Sequence, residues 1–419
     1  MTTEQICKLI DEHQYELFAL LSNLIKINSE NFSSCGNEEA CARYIDNLCK
    51  ELDLESDLFS PLEIDGFTEH PDYLEGRNLE NRYNVVARWV GKENLDELML
   101  MAHTDTVEIG DIKNWEFDPL SGEIKDGKIY GRGACDDKYA LATVLFIIKL
   151  LKESNFIPKR NLLFAAYSDE EHGGSHGALA AVLKYPCNRI VSMDGIDGQI
   201  WHCGSGGQEV IYHYHTQDTV DSAEKAARAI PIVLDCIKSF ADNRCNELEK
   251  NRFYAGTIIP KTSLRYMQIR TGNGGMDLNR GEIRFVYYTD KTKDEIYAEL
   301  SELEKTLATA LKPLGIVGDG FKPKTRFFHY VFCEPDSEDV KLMVKASKEA
   351  TGEDLLVCGS CLSDLSVISK YGSNRAYGFG AGRDFSEPGG AHQPNEFIEC
   401  DALLKYTKTI AAYILKILG

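Results

Sequence analysis

The sequence has no excess of basic residues: Lys and Arg total 46 against 66 Asp and Glu, a net charge of −20. A surface of that sign repels phosphate backbones and anionic headgroups at long range, which sets aside nucleic acid and anionic membrane as partners. Long hydrophobic runs are missing too. The most apolar stretch, Ala140 to Leu151, contains Lys149 and falls short of the roughly 18 uncharged residues a membrane span needs, so it predicts a buried helix. Met1 to Glu12 carries Glu4, Asp11 and Glu12 and lacks the basic start and apolar centre of a signal peptide, which predicts a cytoplasmic protein. The 13 cysteines are odd in number and follow no repeating interval, so they predict reduced, partly buried thiols rather than a disulfide framework. The single C-x-x-C, Cys358 to Cys361, lacks the second pair that a structural zinc site uses.

What is present is a chain of 419 residues, 43% hydrophobic and 10% aromatic, enough to bury one large core or two ordinary ones. Two globular domains are expected. Without repeats, low-complexity tracts or a long linker, their limits come from changes of pattern. Ile6, Leu9, Ile10, Leu17, Leu21, Leu24 and Ile25 fall at helical spacing, and Glu38 to Leu52 is a second amphipathic stretch. Short apolar runs follow at Asn84 to Val90, Glu97 to Ala102, Asn161 to Tyr167 and Arg189 to Met193, with the helix-like Asp137 to Glu153 before the third.

Runs apolar throughout suit central strands covered on both faces, so the prediction is an α/β catalytic domain with a doubly wound, mostly parallel sheet. Ligands bind at the carboxyl ends of such strands. His103-Thr104-Asp105, Asp169-Glu170-Glu171-His172 and Asp194 occupy those ends. From about Gln208 the rhythm changes to strand-like Val210 to Tyr214, helical Ser222 to Phe240, strand-like Ile283 to Tyr288 and helical Asp294 to Leu311. That predicts an inserted α+β unit over 207–330 inside a discontinuous catalytic domain, 1–206 and 331–419. Helical Ser337 to Thr351, Gly-rich Tyr377 to Gly390 and helical Cys400 to Leu418 complete the latter. The glycines Gly378, Gly380 and Gly382 read as the tight approach to His392.

On one strand, His103 and Asp105 would point to the same side, and the carboxylate could take the imidazole's other proton. Asp136 and Asp137 precede a helix and, taken alone, read as its cap. Glu170 and Glu171 are adjacent and face different ways; they could equally be a solvated acidic turn. His392 lies on a loop. Together the set offers imidazole and carboxylate donors without thiolate, which suits two divalent ions, zinc first, with cobalt or manganese also compatible. His103 and Asp194 would hold one, Glu171 and His392 the other, with Asp136 and a water shared between them. Two such ions acidify that water and polarise a carbonyl, while Glu170 takes the proton and hands it to the leaving amine. Amide hydrolysis is the chemistry this predicts.

Met101 to Val107, Trp115, Asp118-Pro119, Gly127 to Gly133, Asp169 to Gly174 and His392 to Glu396 run in the order of a known signature. The chain resembles the co-catalytic zinc metallopeptidases and deacylases: acetylornithine deacetylase, succinyl-diaminopimelate desuccinylase, aminoacylase and glutamate carboxypeptidase. The resemblance implies His103, Asp136, Glu171, Asp194 and His392 as ligands, with Asp197 close to Asp194. It also implies Glu170 as general base, Asp105 behind His103, and a cis peptide between Asp136 and Asp137. The insert then matches the family's lid, which commonly mediates dimers, so a homodimer is expected.

The lid is also where the sequence departs. The family's Gly-Lys-x-x-His segment is replaced by His213 to Asp218, leaving His215 as the candidate substrate contact. The Asn-x-Ile-Pro and Asp-x-Arg elements are replaced near Gly275 to Leu278 and Val286 to Tyr288. Of the Gly-Gly-Thr-Ser-Asp element only Ser363-Asp364 is kept. Substrate identity is accordingly left as a small N-acyl amino acid or a dipeptide or tripeptide.

Two rivals come from other classes. Gly173 to Gly177 fits G-x-S-x-G, with Ser175 as nucleophile, but a serine hydrolase leaves His103, Asp136 and His392 without a purpose. A binding protein that kept only the metal cleft has no use for Glu170.

Overall fold

The computed structural model describes residues 1–217, 221–254, 259–272 and 278–419. In it every residue of the strand Asp96–His103 after Asp96 is buried, because the sheet it belongs to is covered on both faces. This strand runs parallel to Asn161–Tyr167 on one side and to Arg189–Ser192 on the other. Ala376–Phe379 extends the parallel block past Arg189–Ser192. Antiparallel strands flank it, Asn84–Trp89 and then Glu55–Phe59 at one end and Gln199–Gly204 at the other. The protein is therefore α/β, with a nine-stranded sheet that is mostly parallel at its centre.

Alternation divides the burial. Leu98, Leu100 and Ala102 share a core with Leu141, Leu145 and Ile148 of the helix Lys138–Glu153, and with Ile6, Leu17, Ile45 and Ile410 of other helices. Met99 and Met101 point to the opposite face and are just as buried. There Val182, on the helix His176–Lys184, approaches Ile190, the cross-strand neighbour of Met99. The helical spacing at the start of the chain belongs to two helices, Thr3–Glu12 and Gln14–Ile25, rather than one. His13 between them leaves the helical region (φ −110, ψ 13), and the bend lets Ile6, Ile10, Leu17 and Leu21 all stay buried.

The chain divides into two units, Met1–Cys203 with Phe332–Gly419, and Gly204–Val331. The second has its own antiparallel sheet, in the order Leu264–Thr271, Arg280–Thr289, Gly206–Thr216, Ile316–Pro323. Val210, Tyr212 and Tyr214 alternate inward, joined by Ile283, Phe285 and Tyr287. They pack on Val233 and Ile237 of the helix Ser222–Leu248 and on Leu300 and Leu307 of the helix Lys293–Leu311. Its first and last strands have no counterpart in the sequence pattern. Asp218 and most of Gly275 to Leu278 lie outside the described residues. Among the described residues no helix is long and apolar enough to cross a membrane.

Candidate metal centre

Three strand exits and two loops of the first unit bring the acidic and imidazole groups together. His103 ends its strand fully buried, and its Nε2 lies 3.0 Å from Asp136 Oδ1. The other Asp136 oxygen, Oδ2, is 3.2 Å from His392 Nε2. His392 Nε2 is also 2.7 Å from Glu171 Oε2. One ligand atom each from His103, Asp136 and Glu171 falls within a 4.8 Å circle of mutual distances. The side chains of Asp136 and Glu171 are only 11% and 2% exposed, whereas that of His392 is 38% exposed, so the cluster is reached from the His392 side.

The acidic turn after Asn161–Tyr167 is held from beneath. Asp169 adopts a left-handed backbone (φ 69), and its buried carboxylate accepts from Arg77 Nε at 2.7 Å and pairs with Arg82 Nη1 at 2.8 Å. His176 Nδ1 donates to its other oxygen at 2.5 Å. Asp105 Oδ2 accepts the backbone N–H of Glu170 at 2.9 Å and of Glu171 at 3.0 Å. A Cβ at Gly174 would stand 2.0 Å from Asp169 Oδ2, so that position must be glycine for the turn to close. Neither arginine was marked by the sequence, since an isolated arginine in a polar stretch gives no sign of being buried.

Over residues 99–416 the chain matches peptidase family M20/M25/M40. It belongs to that family. An uncharacterized metallohydrolase of Methanocaldococcus jannaschii is 33% identical over 190 residues, 42% of this chain and 40% of that relative, so the aligned part is less than half of it. An N-formyl-4-amino-5-aminomethyl-2-methylpyrimidine deformylase of Halalkalibacterium halodurans is 25% identical over 445 aligned positions, 98% of this chain and 96% of that protein. Among solved structures, a dipeptidase of Saccharomyces cerevisiae shares the fold, with a TM-score of 0.74 at 14% identity over 98% of each chain.

The donor set of the M20 site fits divalent ions. A buried carboxylate presenting each oxygen to a different imidazole is the arrangement a bridging ligand needs, and the described group of His103, Asp136 and Glu171 includes no cysteine. Burial disfavours charge on His103, yet Asp136, Asp105 and Asp137 outweigh it and raise its pKa well above the usual imidazole range. His392 is pushed up to about 11, against its burial, by Glu171 and Asp136. Asp136 is held far below the ordinary carboxylate range by both rings, again despite burial. Asp194 rises to about 7 through burial and the nearby charges of Asp136 and Glu171. Burial raises the pKa of Asp197, and the charges that act on it are Lys405, Glu353 and Glu399 rather than those of the cluster.

Several expectations change in detail. The strand stops at His103, so Asp105 is out of its period-two register; His103 Nδ1 donates to the Asp105 backbone carbonyl at 2.8 Å, and the carboxylate is 3.7 Å away. Asp137 makes no side-chain cap and accepts the His103 backbone N–H at 3.3 Å instead. The Asp136–Asp137 peptide is cis, as the resemblance implies. The glycines expected beside His392 meet the Asp194 loop: a Cβ on Gly380 would stand 2.4 Å from Gly195 N, and Gly382 N donates to Gly195 O at 2.7 Å. Ser175 is fully buried with its hydroxyl donating to Asp364, while His176 is committed to Asp169 and to the Leu74 N–H, so neither serves a serine hydrolase. His215 belongs to the second unit, on Gly206–Thr216, with Nδ1 3.0 Å from Asp319 Oδ1.

Proposed function

We propose that this M20 enzyme is a dinuclear amidohydrolase that cleaves a small N-acyl amino acid or a short peptide. The observation that carries the reading is Asp136, whose two oxygens lie 3.0 and 3.2 Å from the His103 and His392 rings. On this reading His103 and Asp194 would hold one ion and Glu171 and His392 the other, with Asp136 available to both. A pair of divalent ions, with zinc the best match to imidazole and carboxylate donors, supplies Lewis acidity towards a carbonyl and towards water.

Glu170 is the general base: its carboxylate accepts the proton of the attacking water and returns it to the leaving nitrogen. In the metal-free protein burial, and then the neighbouring Asp364 carboxylate, raise its pKa well above the usual range, so Glu170 takes up a proton more readily than an exposed glutamate. The full-length deformylase relative acts, by its name, on an N-formyl compound, and this supports a small acyl group. His215 is the substrate contact we assign to the second unit. Pairing of two copies through that unit is supported by the end strand Leu264–Thr271, where Tyr266, Met267 and Ile269 are exposed.

The decisive experiment is Glu170→Gln with metal content measured. We expect kcat to fall by about 10²- to 10⁴-fold with both ions retained; an unchanged rate removes the mechanism. A hydrolysis screen of the metal-reconstituted enzyme on N-formyl, N-acetyl and N-succinyl amino acids against dipeptides and tripeptides then assigns the substrate class.

A further inference from the structure

Asn31 lies far from every motif that marks the metal centre, yet it touches both ends of the acidic turn and the carboxylate that holds its middle. It is fully buried. Its side-chain Nδ2 donates to Asp105 Oδ2 at 2.7 Å and approaches Asp169 Oδ1 at 3.4 Å. Its Oδ1 accepts from Arg77 Nη2 at 2.7 Å. At the far end of the turn, His172 Nε2 donates to the Asn31 carbonyl at 3.1 Å. The backbone of Asn31 is itself fixed, its N–H bonded to Thr106 O at 2.8 Å, while Thr106 N bonds back to Ser29 O at 3.0 Å.

The oxygen of Asp105 that Asn31 engages is the one that accepts the N–H groups of Glu170 and Glu171. One amide therefore orients the acceptor on which both glutamates hang, and does so inside a site where a lost partner is not replaced by bulk water. We propose that Asn31 is a positioning residue of the reaction: it fixes the turn from Asp169 to His172 and thereby sets where the Glu170 and Glu171 carboxylates stand. This rests on the reading of Glu170 as base and Glu171 as ligand.

Asn31→Ala removes the side-chain bonds and keeps the backbone bonds to Thr106 and His172. We expect kcat to fall at least about tenfold, with KM changed less than about threefold and metal content equal to that of the unsubstituted enzyme. In the metal-free protein, amide hydrogen exchange over Glu170 and Glu171 should quicken while the rest of the sheet keeps its protection. Unchanged exchange together with an unchanged kcat at saturating metal overturns the proposal.

If the alanine variant does not fold, Asn31→Asp carries the test. It keeps the volume and the oxygen that Arg77 donates to, and replaces the amide donor that faces Asp105 and Asp169 with a carboxyl oxygen. Protonated, the introduced carboxyl can still donate; ionised, it cannot, so activity relative to the unsubstituted enzyme should fall as pH rises. A flat ratio overturns the proposal. Glu170→Gln separates the two layers: if that variant retains turnover, the proposed mechanism fails whatever Asn31 does, whereas wild-type kcat and exchange in Asn31→Ala beside an inactive Glu170→Gln refute only the role of Asn31.

Discussion

Asp136 is the residue on which the site turns, because each of its oxygens faces a different ring. Those rings have raised pKa values, His392 to about 11, so without metal both carry protons near neutral pH. An imidazole must be neutral to coordinate, so an ion can bind only by expelling these protons. The sign follows: affinity rises with pH as long as the metal-free rings stay protonated, and Asp194, raised to about 7, adds to the effect from below neutrality. Metal titration by calorimetry at neutral pH, in buffers of different ionisation enthalpy, should register net proton release. Buffer-independent heats would mean that the rings are already neutral.

The same scale shows what a sequence can and cannot disclose. His103, Asp136, Glu171 and His392 sit in short contiguous patterns, and three of the five expected ligands stand at or just after apolar runs, where a parallel sheet puts its chemistry. Asn31, Arg77 and Arg82 carry no such mark. Each is a polar residue among polar residues, and its burial exists only once residues distant in the chain have closed over it.

At the scale of the element, the interior strands were legible because burial on both faces leaves Leu98 to Ala102 apolar at every position. The edge strands were not: Glu55–Phe59 and Leu264–Thr271 are largely exposed or half-buried and show no apolar run. In the Gly-rich stretch after Ala376–Phe379 glycine signals a close approach without naming what approaches, and the neighbour is the Asp194 loop. Gly380→Ala should push that segment off Gly195, beside Asp194. We expect a cost of about 1–3 kcal/mol in denaturant unfolding, together with weaker retention of one of the two proposed metals. Wild-type stability would show that the loop yields freely.

For the whole molecule, the two units carry separate cores, and every proposed ligand comes from Met1–Cys203 or Phe332–Gly419. Anything that binds the folded state alone raises its stability, by about 2.7 kcal/mol at a hundredfold excess over Kd. Scanning calorimetry should therefore show metal raising, and chelator lowering, the transition of the first unit, with that of the second unmoved. Equal shifts in both would show that the units melt as one body.

The donors proposed for this centre are also scattered in time. A ribosome delivers His103, Asp136 and Glu171 early, then must build all of Gly204–Val331 before it reaches His392. At roughly 5–20 residues per second that is a wait of tens of seconds. An ion met during synthesis finds only part of its cage, so the selection of metal falls to the finished chain and to whatever ions its surroundings then offer.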